Sequence, residues 1–201
     1  MDTNAPDCYN TIIDSFLLNN IGIDNHFISQ KLSIGLQQNL FQLQQNNQLI
    51  QAGIGNNALK DAQQKMRSDK IYWLDKKNNN QFETQFLQHI DVFVKYLNSS
   101  CYTGINSYEF HYAVYDEGAF YKKHKDQFRN DNQRKFSLIH YLNDDWVDAD
   151  GGELMLYQDE HTQTITPTAQ KAVFFKSDEI AHEVLPTHKK RLSITGWLKT
   201  I

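Results

Sequence analysis

Cysteine is scarce in this chain. Cys8 and Cys101 are the only two among 201 residues, and they form no CxxC pair, which argues against a disulfide framework and against a thiolate zinc site. With three prolines and nine glycines, no Pro/Gly-rich linker divides the chain and no internal repeat is visible. No apolar run reaches the length of a membrane span. Basic residues are not in excess either. Lys plus Arg total 20 against 24 Asp plus Glu, for a formal charge of -4 and a pI near 6.0, which gives no general reason to expect nucleic acid as a partner. The stretch Met1–Asp7 carries acids where a signal peptide would carry Lys or Arg. These absences predict a soluble, cytoplasmic protein that forms one domain over residues 1–201, with no membrane partner.

What is present divides into two textures. The first, residues 1–104, reads as mainly helical. Ile12, Ile13, Phe16 and Leu17 recur at helical spacing between Thr11 and Asn20, and Gly22 ends that segment. After Asp24 the stripe Phe27, Ile28, Leu32, Leu36, Leu40, Phe41 and Leu43 predicts a longer helix on a Gln/Asn-rich background, with Gly35 as an anomaly inside it. Residues 51–57 read as loop. Met66–Leu74 is a charged turn running into an aromatic-rich strand, and 76–81 is polar loop. Phe82, Phe86, Ile90, Phe93, Val94 and Leu97 mark another amphipathic helix.

From about residue 105 the period changes. Eight short segments (108–115, 120–124, 135–142, 152–157, 162–165, 171–175, 182–185 and 191–198) follow one another with turn signals between them and no helical period. That pattern predicts a sandwich or barrel rather than βαβ units. The expected fold class is α+β: a double-stranded β-helix, or jelly-roll, over residues 105–201, with the amino-terminal helices packed on one sheet.

The chemistry concentrates in this second part. His124 and Asp126 are two apart, so on an extended strand they face one side. His182 offers a third ligand. Two His and one carboxylate on one side of a metal form the facial arrangement of non-haem Fe(II) oxygenases, which leaves sites open for co-substrate and dioxygen. Nine residues beyond His182, Arg191 opens an alternating run in which Arg191, Ser193 and Thr195 share a face. A planar guanidinium there suits the carboxylate of a dicarboxylate co-substrate. Tyr115, Tyr121 and Tyr141 are candidate cavity walls with hydroxyls to offer. His111 shares a face with Tyr115, although a core histidine is the simpler expectation. His140, His26, His89, His161 and His188 lack this context. Lys122, Lys123 and Lys125 flank one ligand, and Lys189 and Lys190 follow the other; they are either a solvated face or a mouth that attracts anions.

Taken together, Tyr121-x-x-His124-x-Asp126, Tyr141-Leu142-Asn143-Asp144-Asp145-Trp146, Gly151-Gly152-Glu153-Leu154, Phe174-Phe175-x-Ser177, His182-Glu183-Val184-x-Pro186 and Arg191-x-Ser193-Ile194-Thr195-Gly196-Trp197 resemble the prolyl 4-hydroxylase-type 2-oxoglutarate oxygenases. Within that family the resemblance is strongest to the prolyl hydroxylases that modify hypoxia-inducible factor, and to their bacterial counterparts. It is dense over residues 108–198 and extends to Arg67-Ser68-Asp69-Lys70-Ile71-Tyr72-Trp73, where Ser68 stands in place of a frequent family glycine. The resemblance implies Fe(II) on His124, Asp126 and His182, and 2-oxoglutarate held by Arg191 with Tyr141, Tyr115, Thr195 and Tyr121 around it. It also implies substrate contacts at Arg67, Asp69 and Trp197. O2 is consumed, ascorbate is the expected reductant, and the expected substrate is a proline in an intracellular protein, a translation factor among the possibilities.

Other readings remain open at this stage. The same chemistry could act on a free amino acid, a small metabolite or an alkylated base. A zinc hydrolase could use the same three ligands, but it would have no need for Arg191. A cupin-like barrel that has lost catalysis and binds metal or partners is the third.

Overall fold

The structure, a computed structural model, describes residues 5–53, 66–127, 132–159 and 161–201. Part of one expected loop, residues 54–57, lies outside the described residues. The first helix, α1 (Ala5–Asn19), is followed by a short strand, β1 (Ile21–Asp24), and by α2 (Gln30–Gln45). Two further strands, β2 (Ile50–Gln51) and β3 (Lys70–Trp73), precede the longest helix, α3 (Gln81–Cys101). Eight strands then follow: β4 (Ser107–Tyr115), β5 (Tyr121–His124), β6 (Arg134–Tyr141), β7 (Leu154–Tyr157), β8 (Thr162–Ile165), β9 (Ala172–Lys176), β10 (Ala181–Val184) and β11 (Arg191–Lys199). All eight strands expected from the period change are present, and each boundary agrees to within about two residues.

The helices begin where local chemistry satisfies their free amides. Ser29 Oγ accepts from Leu32 N–H at the start of α2, and Asn80 Oδ1 accepts from Phe82 and Glu83 N–H at the start of α3. Gly35 is no longer anomalous. A Cβ there would stand 2.3 Å from the Phe82 ring, so only glycine lets α2 approach the start of α3 this closely.

The strands form two antiparallel sheets, one of seven strands in the order β1-β9-β6-β11-β4-β3-β2 and one of four in the order β5-β10-β7-β8. This is the double-stranded β-helix with helices on one side. Strand alternation sorts the major sheet into two faces. Phe110, Tyr112, Val114, Leu138, Phe174, Leu192 and Ile194 face the helices and pack with Ile12, Phe27, Leu36, Phe86 and Phe93. Ala113, Tyr115, Ile139, Tyr141, Val173 and Phe175 face the minor sheet and meet Leu154, Leu156 and Val184. Two strands were not anticipated. Where Gly22 was expected only to end a helix, β1 forms by pairing Ile21–Asp24 with Ala172–Phe175, and β2 pairs its two residues with β3. Both are too short for their own sequence to signal a strand, and each is specified by its partner.

A candidate metal and dicarboxylate site between the sheets

Cross-strand pairing builds the metal cluster. His182 on β10 stands opposite His124 at the end of β5, and Asp126 follows two residues after the strand. Asp126 Oδ1 lies 3.4 Å from His124 Nε2, and its Oδ2 lies 3.5 Å from His182 Nε2. One ligand atom from each residue falls within 4.8 Å of the others, and this is the one such group among the described residues. The expectation that Asp126 would sit on the strand itself is modified: it lies just past the strand end, and the turn brings its carboxylate back to the histidines.

The ring nitrogens are sorted by what they touch. His124 Nδ1 is 2.7 Å from Lys122 C=O, and His182 Nδ1 is 3.3 Å from Ile180 C=O. Each Nδ1–H therefore donates to the backbone and leaves the Nε2 lone pair for the cluster. His124 Nε2 is buried without any hydrogen-bond partner. Burial pushes the His182 imidazole down to about 4, helped by His124 and opposed by Asp126, so it is neutral at pH 7. Burial works against ionisation of Asp126, but His182, His124 and the Ser137 hydroxyl outweigh it and hold the carboxyl well below its usual range. Two imidazoles that turn their Nε2 atoms toward one ionised carboxylate are the donor set that a divalent metal requires.

The cavity beside the cluster is walled by His124, Asp126 and His182 together with Tyr115, Tyr121, Arg191, Thr195, Trp197, Arg67 and His111. Strand pairing places Arg191 opposite Tyr115, and Thr195 opposite His111. Arg191 is 1% exposed. Its Nε donates to Gly152 C=O at 2.8 Å, and its guanidinium carbon lies 4.9 Å from the Tyr115 ring centre and 5.0 Å from that of Tyr141. Among the described residues no carboxylate lies within ion-pair distance of it. Gly152 has φ +67, and a Cβ there would press on Thr187 Oγ1 at 2.9 Å and Arg191 Cδ at 3.0 Å, so the Gly151-Gly152 step is a cradle for this side chain. Tyr141 lies beneath Arg191, outside the lining, and its buried Oη has no partner. Burial pushes Tyr121 and Tyr141 up to about 12 and Tyr115 higher still. All three therefore remain protonated donors.

An adjoining chamber is lined by Trp73, Arg134 and Lys125 and shares Arg67, His111, Tyr121, Asp126 and Trp197 with the first. Arg67 lies 4.2 Å over the Tyr121 ring and grips Asp69 through two bonds of 2.7 and 2.6 Å. Asp69, expected beside Arg67 on the substrate side, is fully buried and outside both linings; it holds Arg67 in place. His111, for which a core position was the simpler expectation, is instead at the cavity wall between Trp73 and Trp197, with ring centres 5.0 and 5.4 Å away. Lys122, Lys123 and Lys125 do not converge on the cavity as a group. Lys123 sits 3.6 Å over the Tyr157 ring, and Lys125 Nζ donates to Asp178 C=O. Reasoning from sequence missed Ser137 and Arg134 and gave Ser177 no role beyond its place in the Phe174-Phe175-x-Ser177 motif, although all three touch Asp126 or its loop.

Residues 110–199 match the model of the 2OG-Fe(II) oxygenase superfamily. A prolyl-4-hydroxylase from Pseudomonas putida superposes with a TM-score of 0.85 at 30% identity, covering 96% of this chain and 99% of that one. The chain belongs to this superfamily. A dioxygenase of this kind uses Fe(II), 2-oxoglutarate and O2, and the donor set described above fits that metal. Two more distant structures show the shared fold alone. One is a prolyl hydroxylase from Trichoplax adhaerens in complex with a peptide of the hypoxia inducible factor oxygen degradation domain (TM-score 0.86, 24% identity, 98% of this chain and 90% of that one). The other is the epimerase SnoN of nogalamycin biosynthesis (TM-score 0.67, 10% identity, 96% and 82%). Among the oxygenase's described residues, no helix is long and apolar enough to cross a membrane.

Proposed function

We propose that this oxygenase is a prolyl 4-hydroxylase acting on a proline within a protein. Fe(II) is held by His124, Asp126 and His182, and the distal carboxylate of 2-oxoglutarate by Arg191. The observation that carries this reading is Arg191 itself. A fully buried guanidinium with no carboxylate in reach is strongly disfavoured, and an incoming carboxylate at the same cavity wall as a His/Asp/His cluster relieves that cost. A zinc hydrolase has no use for such a cation, and a barrel that only binds partners has no reason to retain it beside intact ligands.

When bound, the iron and co-substrate supply the oxidising chemistry: 2-oxoglutarate and O2 are converted to succinate and CO2 while one oxygen atom enters the substrate. The chain's own groups bind, orient and exclude water. The Nδ1–H donations to Lys122 and Ile180 carbonyls fix both imidazole tautomers. The Arg191 fork orients a carboxylate in its plane, and the orphaned hydroxyl of Tyr141 is available to one of its oxygens. Tyr115 and Thr195 line the path between, and Leu154, Val184 and Ile139 keep the cavity wall apolar. Ascorbate would act as reductant.

The adjoining aromatic chamber of Trp73, Trp197 and Tyr121 suits a peptide segment, and its exposed Trp73 is a surface on which a chain can lie. The peptide-bound Trichoplax neighbour supports the same class of substrate. We place the enzyme in the cytoplasm as a single domain, with a translation factor as one target to test. The test is incubation of the enzyme with Fe(II), 2-oxoglutarate and ascorbate, with and without a protein extract. The expected result is extract-stimulated succinate formation with one oxygen added at a proline, read by mass spectrometry. Succinate stimulated only by free amino acids or small metabolites, with no protein gaining oxygen, would overturn the assignment of target.

A further inference from the structure

One buried hydroxyl pair touches the site from behind. Ser137 on β6 and Ser177, just after β9, are both fully buried. Ser137 Oγ donates to Asp126 Oδ2 at 2.7 Å and lies 2.9 Å from Ser177 Oγ. A hydroxyl has one hydrogen to give. An ionised Asp126 can only accept, so the Ser137 hydrogen is committed to it and Ser177 must donate to Ser137. The bonds therefore run in one direction, Ser177 to Ser137 to Asp126, and each polarises the next in a dry setting.

The same turn also ties down the backbone that carries Asp126. Gln127 N–H donates to Ser177 C=O at 3.2 Å, and Ser177 N–H donates to Lys135 C=O at 3.0 Å. Lys125 Nζ reaches Asp178 C=O, and Arg134 Nη1 reaches Asp126 C=O at 3.2 Å. Asp126 lies past the end of β5, so no ladder bond fixes its side chain. We propose that Ser137, itself oriented by Ser177, is the positioning residue that fixes Asp126 as a one-oxygen metal ligand. Both carboxylate oxygens stand near a ligand nitrogen, Oδ1 3.4 Å from His124 Nε2 and Oδ2 3.5 Å from His182 Nε2. The Ser137 bond engages Oδ2 and so leaves Oδ1 for the metal. A carboxylate without that bond is free to rotate and engage a metal through both oxygens, which would use a position that co-substrate or dioxygen needs.

This inference rests on the metal reading given above. Its test is Co(II) titration of the full chain, followed by affinity and by the visible spectrum, for wild type, Ser137→Ala, Ser137→Thr, Ser177→Ala and the double alanine variant. Ser137→Ala is expected to weaken Co(II) binding about 10- to 100-fold and to shift the Co(II) bands, whereas Ser137→Thr, which keeps the hydroxyl, restores both. Ser177→Ala is expected to have a smaller effect in the same direction. The double variant should be no worse than Ser137→Ala, because Ser177 acts through Ser137. A purely structural role would lower the melting temperature and leave affinity and spectrum alone. If Ser137→Ala does not fold, Ser177→Ala decides by the same two readouts. Wild type that binds Co(II) alongside variants with unchanged affinity and spectrum would overturn the positioning role alone. Wild type that binds no Co(II) would overturn the metal reading and this inference together.

Discussion

The two faces of the seven-stranded sheet each bury a histidine, and the contrast between them separates burial from function. His140 on β6 points toward the helices among Phe27 and Phe86, with ring centres 6.4 and 6.2 Å away, and neither of its nitrogens has a partner. His111 on β4 points the other way and lines the cavity between two tryptophans. Burial pushes both down to about 3, His140 with a contribution from His89 and His111 with one from Arg67. A perturbed pKa alone therefore does not mark a functional group in this protein. The neighbours do: one ring lies among phenylalanines with neither nitrogen partnered, and the other shares a cavity with three metal-ligand candidates and a buried arginine.

Substitutions on the two faces should separate stability from chemistry. The largest expected effect lies on the helix face. Phe86→Ala, which removes a fully buried ring stacked edge-on against Phe110 at 5.4 Å, should cost about 3–5 kcal/mol of stability, read by denaturant unfolding. Metal affinity measured below the transition should be retained. Arg191→Met on the cavity face should do the reverse. It should lose about 2–5 kcal/mol of 2-oxoglutarate binding, read as a raised KM, while the melting temperature holds or rises because an uncompensated buried charge has gone.

His140 also sharpens the contrast through pH. Its folded-state value lies below the ordinary 6.5, so the neutral ring contributes stability above about pH 6.5. That contribution is lost as the pH falls toward about 3, at up to about 1.4 kcal/mol per pH unit. His140→Leu should flatten this acid limb in thermal unfolding at several pH values. At pH 7 it should stay within about 1 kcal/mol of wild type, since an apolar group replaces one with no partners. The smallest effect belongs outside both faces. Lys123→Gln removes the cation over Tyr157, a contact worth about 0.5–1 kcal/mol at an exposed site, and should leave KM for 2-oxoglutarate unchanged.

Much of this contrast was legible in the amino-acid order because alternation is a direct readout of faces. Arg191, Ser193 and Thr195 against Leu192 and Ile194 can be assigned to opposite sides without coordinates, and so can His140 against Tyr141. The three metal-ligand candidates stood out because their chemistry is rare in combination. What the order could not reveal depends on contacts between distant segments. Ser137 and Ser177 stand 40 residues apart, and although Ser177 closes a quoted motif, nothing in the order pairs the two until the sheet brings their hydroxyls to 2.9 Å. Asp69 looks like a substrate contact until its burial against Arg67 is seen. The two-residue β2 and the Gly22-containing β1 exist only because β3 and β9 offer free edges. His111 shares a face with Tyr115, but whether that face opens on a cavity or a core is decided by the minor sheet across from it.

The most direct test of the central claim is Fe(II)-dependent decarboxylation of 2-oxoglutarate, measured side by side for wild type, Asp126→Ala and Arg191→Ala, with circular dichroism to confirm that all three are folded. The account predicts succinate from wild type and a loss of turnover in both variants. In Asp126→Ala the loss should come with weakened metal binding, and in Arg191→Ala with weakened co-substrate binding and intact metal affinity. Equal rates in all three, or a folded wild type that binds neither Fe(II) nor 2-oxoglutarate, would contradict it.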